Sequence, residues 1–304
     1  MTFSKTRIVK KGFTLVELLV AMAITVILVS LVVVITGNAL DAWRGARNEI
    51  RAARQAKIML DSLGRDLESL VIRSNNNFEW LNVKSETRDI GPEGKPSPNA
   101  ASFIFLTGAS DRYDGNVGDS LEDKGGDISA VGYKLEFLDP IFSNPDERYS
   151  TFVLYRNLVN PDQTFQGLLA VEDLDEAYSG SAGGSAQGKN FMCENIYEIS
   201  VVFSVEFVDT SGDLQSVKVP VLGASGGVNA VSEFSIKGDI IKADGQDARY
   251  SKGRVVSVDL SITVLSDTGM RLIRQVPLDD PQKQAKFLSE NSYNYSKTVL
   301  LPQP

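Results

Sequence analysis

From Leu18 to Leu40 the chain carries no charged residue, and between Leu18 and Ile35 only Thr25 and Ser30 interrupt the apolar run. Eighteen helical residues extend about 27 Å, close to the roughly 30 Å hydrocarbon core of a bilayer, so this stretch predicts a transmembrane helix over 13–36. Gly37-Asn38 marks a soft point, and beyond it the pattern turns amphipathic. Ala42, Ala46, Ala53, Ala56, Leu60, Leu63, Leu67 and Leu70 recur mostly at three- and four-residue spacing. That is one face of a helix from about Asp41 to Arg73, within an amphipathic extension over 37–74. The small half, Ala42–Ala56, is expected to pack on neighbouring helices, and the large half, Leu60–Leu70, to dock onto the chain's own globular head. Arg44, Arg47, Arg51 and Arg54 form a second stripe. It reads as a solvated face or as a contact for lipid headgroups or acidic subunits. Asn75-Asn76-Asn77 ends the helical pattern.

After residue 78 the period falls to two. In Ile196–Val208, Tyr197, Ile199, Val201, Phe203, Val205 and Phe207 alternate with Glu198, Ser200, Ser204 and Glu206. This is the pattern of a strand with one buried face. Val255–Leu265 repeats it, with Val256, Val258, Leu260, Ile262 and Val264 inward, and Tyr133, Leu135 and Phe137 alternate with Lys134 and Glu136. Phe103–Leu106, Phe152–Tyr155, Val217–Val221 and Phe234–Ile241 are further strand candidates. A long helix laid across an antiparallel sheet is the consistent assembly, an α+β fold with a β-rich head over 75–304. No internal repeat is visible.

Composition then removes whole classes of chemistry. With 304 residues, 42% hydrophobic and 23% charged, wholesale disorder is not expected. Histidine is absent and Cys193 is the one cysteine. The chain therefore builds no Ser-His-Asp triad, no Cys-His pair, no His- or multi-Cys metal site and no internal disulfide. Cys193 reads as a small apolar residue. The net charge is −8, yet residues 1–12 hold Lys5, Arg7, Lys10 and Lys11 without an acid, leaving −12 on the rest. So acidic a body argues against nucleic-acid binding. The basic start would stay cytoplasmic by the positive-inside rule, which sends the body across the membrane.

On the residues alone, a cleaved signal peptide with Gly37-Asn38-Ala39 as its small-x-small site and an uncleaved signal anchor both remain open. Neither accounts for Glu17, a carboxylate at the head of an apolar segment, where burying an ion costs several kcal/mol. Lys10-Lys11-Gly12-Phe13-Thr14-Leu15-Val16-Glu17, followed by the aliphatic run, resembles the class III signal of type IV pilins and pseudopilins. The resemblance implies a basic leader over 1–12 with Lys10 and Lys11, cleavage by a prepilin peptidase between Gly12 and Phe13, and methylation of the new N-terminal Phe13. It places Glu17 fifth in the mature chain. There its carboxylate would neutralise the Phe13 ammonium of a neighbouring subunit during assembly, each charge being stranded in a low dielectric without the other.

Size and cysteine content point within that superfamily to a minor pseudopilin-like subunit of a type II secretion or type IV pilus-like filament or tip. Tyr155-Arg156-Asn157, then the strand at 196–208, then the late strand at 255–265 resemble the J-type minor pseudopilins of type II secretion. Length and leader are also similar to the verrucomicrobial cassette pilin-like proteins of the Verru_Chthon family. The resemblance implies a prepilin peptidase, other pilin or pseudopilin subunits and the inner membrane as partners. The location implied is single-pass in a bacterial inner membrane with the head in the periplasm, or outside the cell within a filament. An adhesive minor pilin of a true type IV pilus is the alternative inside this class. A membrane-anchored periplasmic enzyme using carboxylates, with Asp173/Asp175 or Asp279/Asp280 as pairs, is the alternative outside it. No cofactor is expected. Asp111, Asp114, Asp119 and Asp123 sit among glycines in a run dense in oxygen ligands for calcium. Their spacing does not match an EF-hand loop, so a solvated acidic loop is the expectation.

Overall fold

The computed structural model describes residues 12, 14–86, 90–92, 96–108, 126–141, 149–180, 190–223, 229–243, 250–275 and 280–303. Among them the fold is α+β: one long apolar N-terminal helix followed by a large sheet. The chain divides into two compact units, Met1–Asn48 and Glu49–Pro304. Helix α1 (Leu15–Glu68, 54 residues) contributes to both.

In the first unit, every large aliphatic side chain from Leu15 to Ile35 is more than half exposed. The two polar residues of the run turn their hydroxyls back onto the helix. Thr25 donates to the Ala21 carbonyl and Ser30 to the Val26 carbonyl, each at 2.8 Å. These bonds satisfy the donors locally and leave a uniformly apolar surface, which is what a hydrocarbon environment requires. The segment is long and apolar enough to cross a membrane.

In the second unit, α1 buries Ala52, Ala56, Met59, Leu60, Leu63 and Leu67. This stripe joins the sheet residues in one core. Contact with the head thus begins at Ala52 and Ala56, earlier than the Leu60 expected from side-chain size. Of the small residues, Ala56 and its neighbour Ala52 meet the head itself, Ala53 is half-buried, and Ala42 and Ala46 remain exposed. The helix ends at Glu68, short of Arg73. There Leu70 enters a bridge with Thr107, and the Val71 N–H donates to the Leu106 carbonyl at 2.9 Å, so sheet pairing takes the backbone away from the helix.

The head contains an eleven-stranded sheet among the described residues. Its strands are β1 (Glu79–Glu86), β2 (Ala100–Thr107), β3 (Ser129–Leu138), β4 (Thr151–Val159), β5 (Phe191–Glu194), β6 (Ile196–Val208), β7 (Leu214–Val221), β8 (Glu233–Lys237), β9 (Ile240–Ala243), β10 (Arg254–Leu265) and β11 (Ser292–Leu300). The main path runs β11-β10-β6-β2-β1-β8-β9, and β3, β4, β5 and β7 branch from it. Pairings are antiparallel except β2 with β6, a single parallel register point at Ala100 and Ile199. Asn195, at φ 65°, separates β5 from β6. Its N–H donates to the Phe152 carbonyl at 2.7 Å and its carbonyl accepts from Leu265 N–H at 2.9 Å. One nearly continuous strand therefore changes partner from β4 to β10 at this residue.

The alternation seen in the sequence is realised. In β6, Tyr197, Ile199, Val201, Phe203 and Val205 are buried, while Glu198, Ser200, Ser204 and Glu206 are half-exposed. Val256 is only half-buried, because a register shift between Val255 and Ser257 breaks the inward row there. The expected strand Phe234–Ile241 is two strands folded at Gly238. Among the described residues four short helices complete the head: α2 (Pro161–Gly167), α3 (Leu174–Gly180), α4 (Asp267–Leu272) and α5 (Pro281–Asn291).

Candidate functional site

The helix carrying the N-terminal motif starts at Leu15, and its start is a capping box. The Thr14 carbonyl accepts the first helical bond, from Leu18 N–H at 3.2 Å. Glu17 Oε2 accepts from the Thr14 N–H at 2.9 Å and from its hydroxyl at 3.0 Å, and the Glu17 N–H donates to Thr14 Oγ1 at 3.2 Å. Two orphan donors at the positive end of a helix thus meet a hydroxyl and a carboxylate. Thr14-x-x-Glu17 is the spacing such a box needs, and it gives the carboxylate a place at the head of an apolar helix within its own chain. Gly12 is described, and a side chain added there would meet nothing within 4 Å. Lys10, Lys11 and Phe13 lie outside the described residues, as do the calcium candidates Asp111, Asp114, Asp119 and Asp123. Among the described residues no group of three or more acids and cysteines is placed to hold a metal ion.

The arginine stripe has more than one role. Arg44 lies 3.5 Å from Asp41, with both side chains largely exposed. The Arg47 guanidinium stands 5.6 Å over the Trp43 ring. Arg51 instead holds the head, with Nη2 2.5 Å from Glu194 Oε1 and Nη1 2.6 Å from Asp267 Oδ2. Burial alone would lower the Arg51 pKa; its hydrogen bond to Glu194 and the Asp267 and Glu194 charges outweigh it and raise the pKa. Asn195 Nδ2 also donates to Asp267, at 3.3 Å, so the partner-changing residue of the sheet and the helix share one acid. Sequence alone gives no signal for this clamp, because its two acids lie 143 and 216 residues away.

A second contact is buried. Arg156 donates through Nε to Asp66 Oδ2 at 2.8 Å and through Nη2 to Oδ1 at 3.0 Å, and Tyr133 donates to Oδ2 at 2.5 Å. Asp66 lies on α1, Tyr133 on β3 and Arg156 on β4, so the fork ties the end of the helix to two strands. Burial, then the Asp66 charge, pushes the Tyr133 phenol far up, and it remains a donor. A third tie, Lys297 to Asp61 at 3.3 Å, crosses the helix at Gly64.

The acids that suggested hydrolytic chemistry have local partners. Asp173 accepts the Glu176 N–H at 2.9 Å, Asp175 pairs with Lys84 at 2.5 Å, and Asp280 accepts the Gln282 N–H at 2.9 Å as the cap of α5. Asp279 lies outside the described residues. Leu70, Trp80, Ile236, Ile241, Val255 and Leu301 line a groove of about 210 Å3 together with the charged Asp239, Lys252 and Arg254.

Residues 8–33 match the family described as the prokaryotic N-terminal methylation motif. No curated protein and no solved structure matches the chain. The match covers Lys10 and Lys11 of the leader, Gly12, the capping box and most of the apolar run. Carriers of this motif are typically structural, and it implies processing by a prepilin peptidase and assembly with other pilin subunits. The N-terminal segment of this chain is a type IV pilin-like prepilin signal.

Proposed function

We propose that the chain is a minor pseudopilin-like structural subunit, cut between Gly12 and Phe13 by a prepilin peptidase and assembled through α1 into a type II secretion or type IV pilus-like filament or its tip. The methylation motif at residues 8–33, running directly into an apolar helix of membrane-spanning length, carries this reading. The leader stays cytoplasmic and the acidic head crosses the inner membrane. In the free subunit the Glu17 carboxylate rests on Thr14 of its own chain; in the assembly it meets the Phe13 ammonium of a neighbour. A unit charge beside lipid gains more from an opposite charge than from a neutral donor, which favours the exchange.

The experiment is the N-terminal mass of membrane-extracted protein from cells with and without an active prepilin peptidase. A start at N-methyl-Phe13 only with the active peptidase is expected. A start at Met1 or Leu40 in both would replace this reading with an anchor or a secreted protein. Glu17→Gln is expected to leave the folded head unchanged while reducing incorporation into the filament or tip fraction at least about tenfold, for an ion-pair contribution above roughly 1.4 kcal/mol.

A further inference from the structure

We propose that the free edge of β11 is a docking site for an extended strand of a partner subunit, added to the head sheet by main-chain hydrogen bonds; this rests on the assembly reading above. Two contacts define which backbone groups of β11 point away from β10. The Leu301 N–H donates to the Val256 carbonyl at 3.0 Å, and the Ser266 N–H donates to the Asn291 carbonyl at 2.8 Å. In the β10–β11 register these odd-numbered positions of the C-terminal segment are the hydrogen-bonded ones, so Tyr293, Tyr295, Lys297 and Val299 face β10. Asn294, Ser296, Thr298 and Leu300 then direct N–H and C=O away from the sheet, and their side chains are exposed. β11 ends the strand order, and no described strand pairs with that side of it.

An open edge is a hazard that folds normally blunt with short strands, proline, a bulge or charged side chains, inward-pointing ones included. The other margins of this sheet carry such devices. β5 and β9 have four residues each, and β7 carries Pro220 and Lys218. β11 runs nine residues in unbroken register without proline. Its one charge, the inward Lys297, is already paired with Asp61 of α1, so covering the edge would not strand it. Spaced backbone donors and acceptors specify their occupant chemically: a polypeptide in extended conformation, largely independent of its side chains. A second copy fits less well. Antiparallel pairing of two β11 edges turns the Glu49–Glu68 segments of the two copies end for end, whereas each continues N-terminally into an apolar segment meant for the same membrane.

The test is hydrogen exchange on the full chain in membranes of cells that assemble it, compared with the same chain dissociated in detergent. The peptide 292–300 is expected to gain at least about tenfold protection in the assembled state. Ser296→Pro removes one outward N–H and no bond to β10, and should abolish the gain while Ser296→Ala retains it. Equal exchange in both states overturns the inference without needing any variant. So does spontaneous disulfide dimerisation of Ser296→Cys chains in a Cys193→Ala background, which assigns the edge to a second copy. A chain that starts at N-methyl-Phe13 and requires Glu17, yet exchanges equally, would sink this inference alone; a chain starting at Met1 would sink the assembly reading itself.

Discussion

Asp66 and Arg51 show how differently two ion pairs can act on one helix. The Asp66 and Arg156 side chains are 6% and 16% exposed, whereas Arg51 is 46% exposed and its acids 25% and 43%. Removing one partner from a buried pair strands the other charge, at a cost of about 3–5 kcal/mol, while solvent screens the outer pair to roughly 1 kcal/mol or less. Urea unfolding should therefore rank Arg156→Met well above Arg51→Met in lost stability. A similar loss for both would mean that water reaches Asp66. Cys193 offers a pH test. Burial, then the neighbouring Glu194 charge, pushes its thiol from the ordinary 9.0 up to about 12. The folded state therefore holds the proton more tightly than the unfolded one. This contribution is intact below about pH 9 and lost as pH rises from there towards 12. Between pH 8 and pH 10 the native chain should lose about 1 kcal/mol more than Cys193→Ala does. Parallel curves would show a thiol open to solvent. Of these residues, Glu17 was visible beforehand because its motif is local. Arg51 was visible only as part of a charged stripe, since its partners lie on β5 and α4.

Elements were legible where one face is wet and one dry. β6 and β10 alternate cleanly because their outer rows face solvent. β1 gives no alternating signal because both of its faces are covered: Leu81 and Val83 enter the core, while Glu79 and Asn82 are buried as polar residues. Glu79 Oε2 caps α3 by accepting the Leu174 N–H at 2.6 Å, a use no strand pattern announces. β11 gives little signal because three of the four residues in its inward row, Tyr293, Tyr295 and Lys297, are amphipathic side chains that pack their stems and keep polar tips, and Val299 alone is purely apolar. β8 and β9 look like one strand in the sequence because apolar residues continue on both sides of Gly238-Asp239. Gly238, at φ 55°, makes that turn, and a Cβ there would lie 1.9 Å from the Asn76 carbonyl oxygen. Gly238→Ala should cost about 2–3 kcal/mol, the strain of a left-handed residue plus a backbone clash. Gly212→Ala shares the positive φ but meets open space, and should cost about 1 kcal/mol. Thermal melts of the two variants separate clash from conformation, and equal shifts would remove the clash.

At the scale of the whole molecule, the sequence placed the helix–head boundary by residue size, and physical contact places it elsewhere. Size suggested that the Ala half of the amphipathic face serves other subunits and that the Leu half serves the head. In the fold, Ala52 and Ala56 are 2% and 1% exposed within the head core, and Arg51 adds its two acids just before them. An alanine methyl buries little area, yet it lets a helix backbone lie close to a sheet, so small residues at the near end of a docked helix are packing choices as much as interface choices. The consequence is measurable with fragments. A fragment 49–304 keeps the clamp and both alanines and should unfold in one cooperative urea transition. A fragment 58–304 retains Met59, Leu60, Leu63 and Leu67, and so keeps every large docking residue that size alone would have chosen. It nevertheless loses two buried methyl groups and the Arg51 clamp. At about 0.8 kcal/mol per buried carbon and up to about 1 kcal/mol for the exposed pairs, it should be less stable by roughly 2–3 kcal/mol. Equal midpoints for the two fragments would return Ala52 and Ala56 to the surface and free that stretch of α1 for a neighbouring helix. A lower midpoint for the shorter fragment leaves only the helix N-terminal to Glu49 available for packing between subunits on that face.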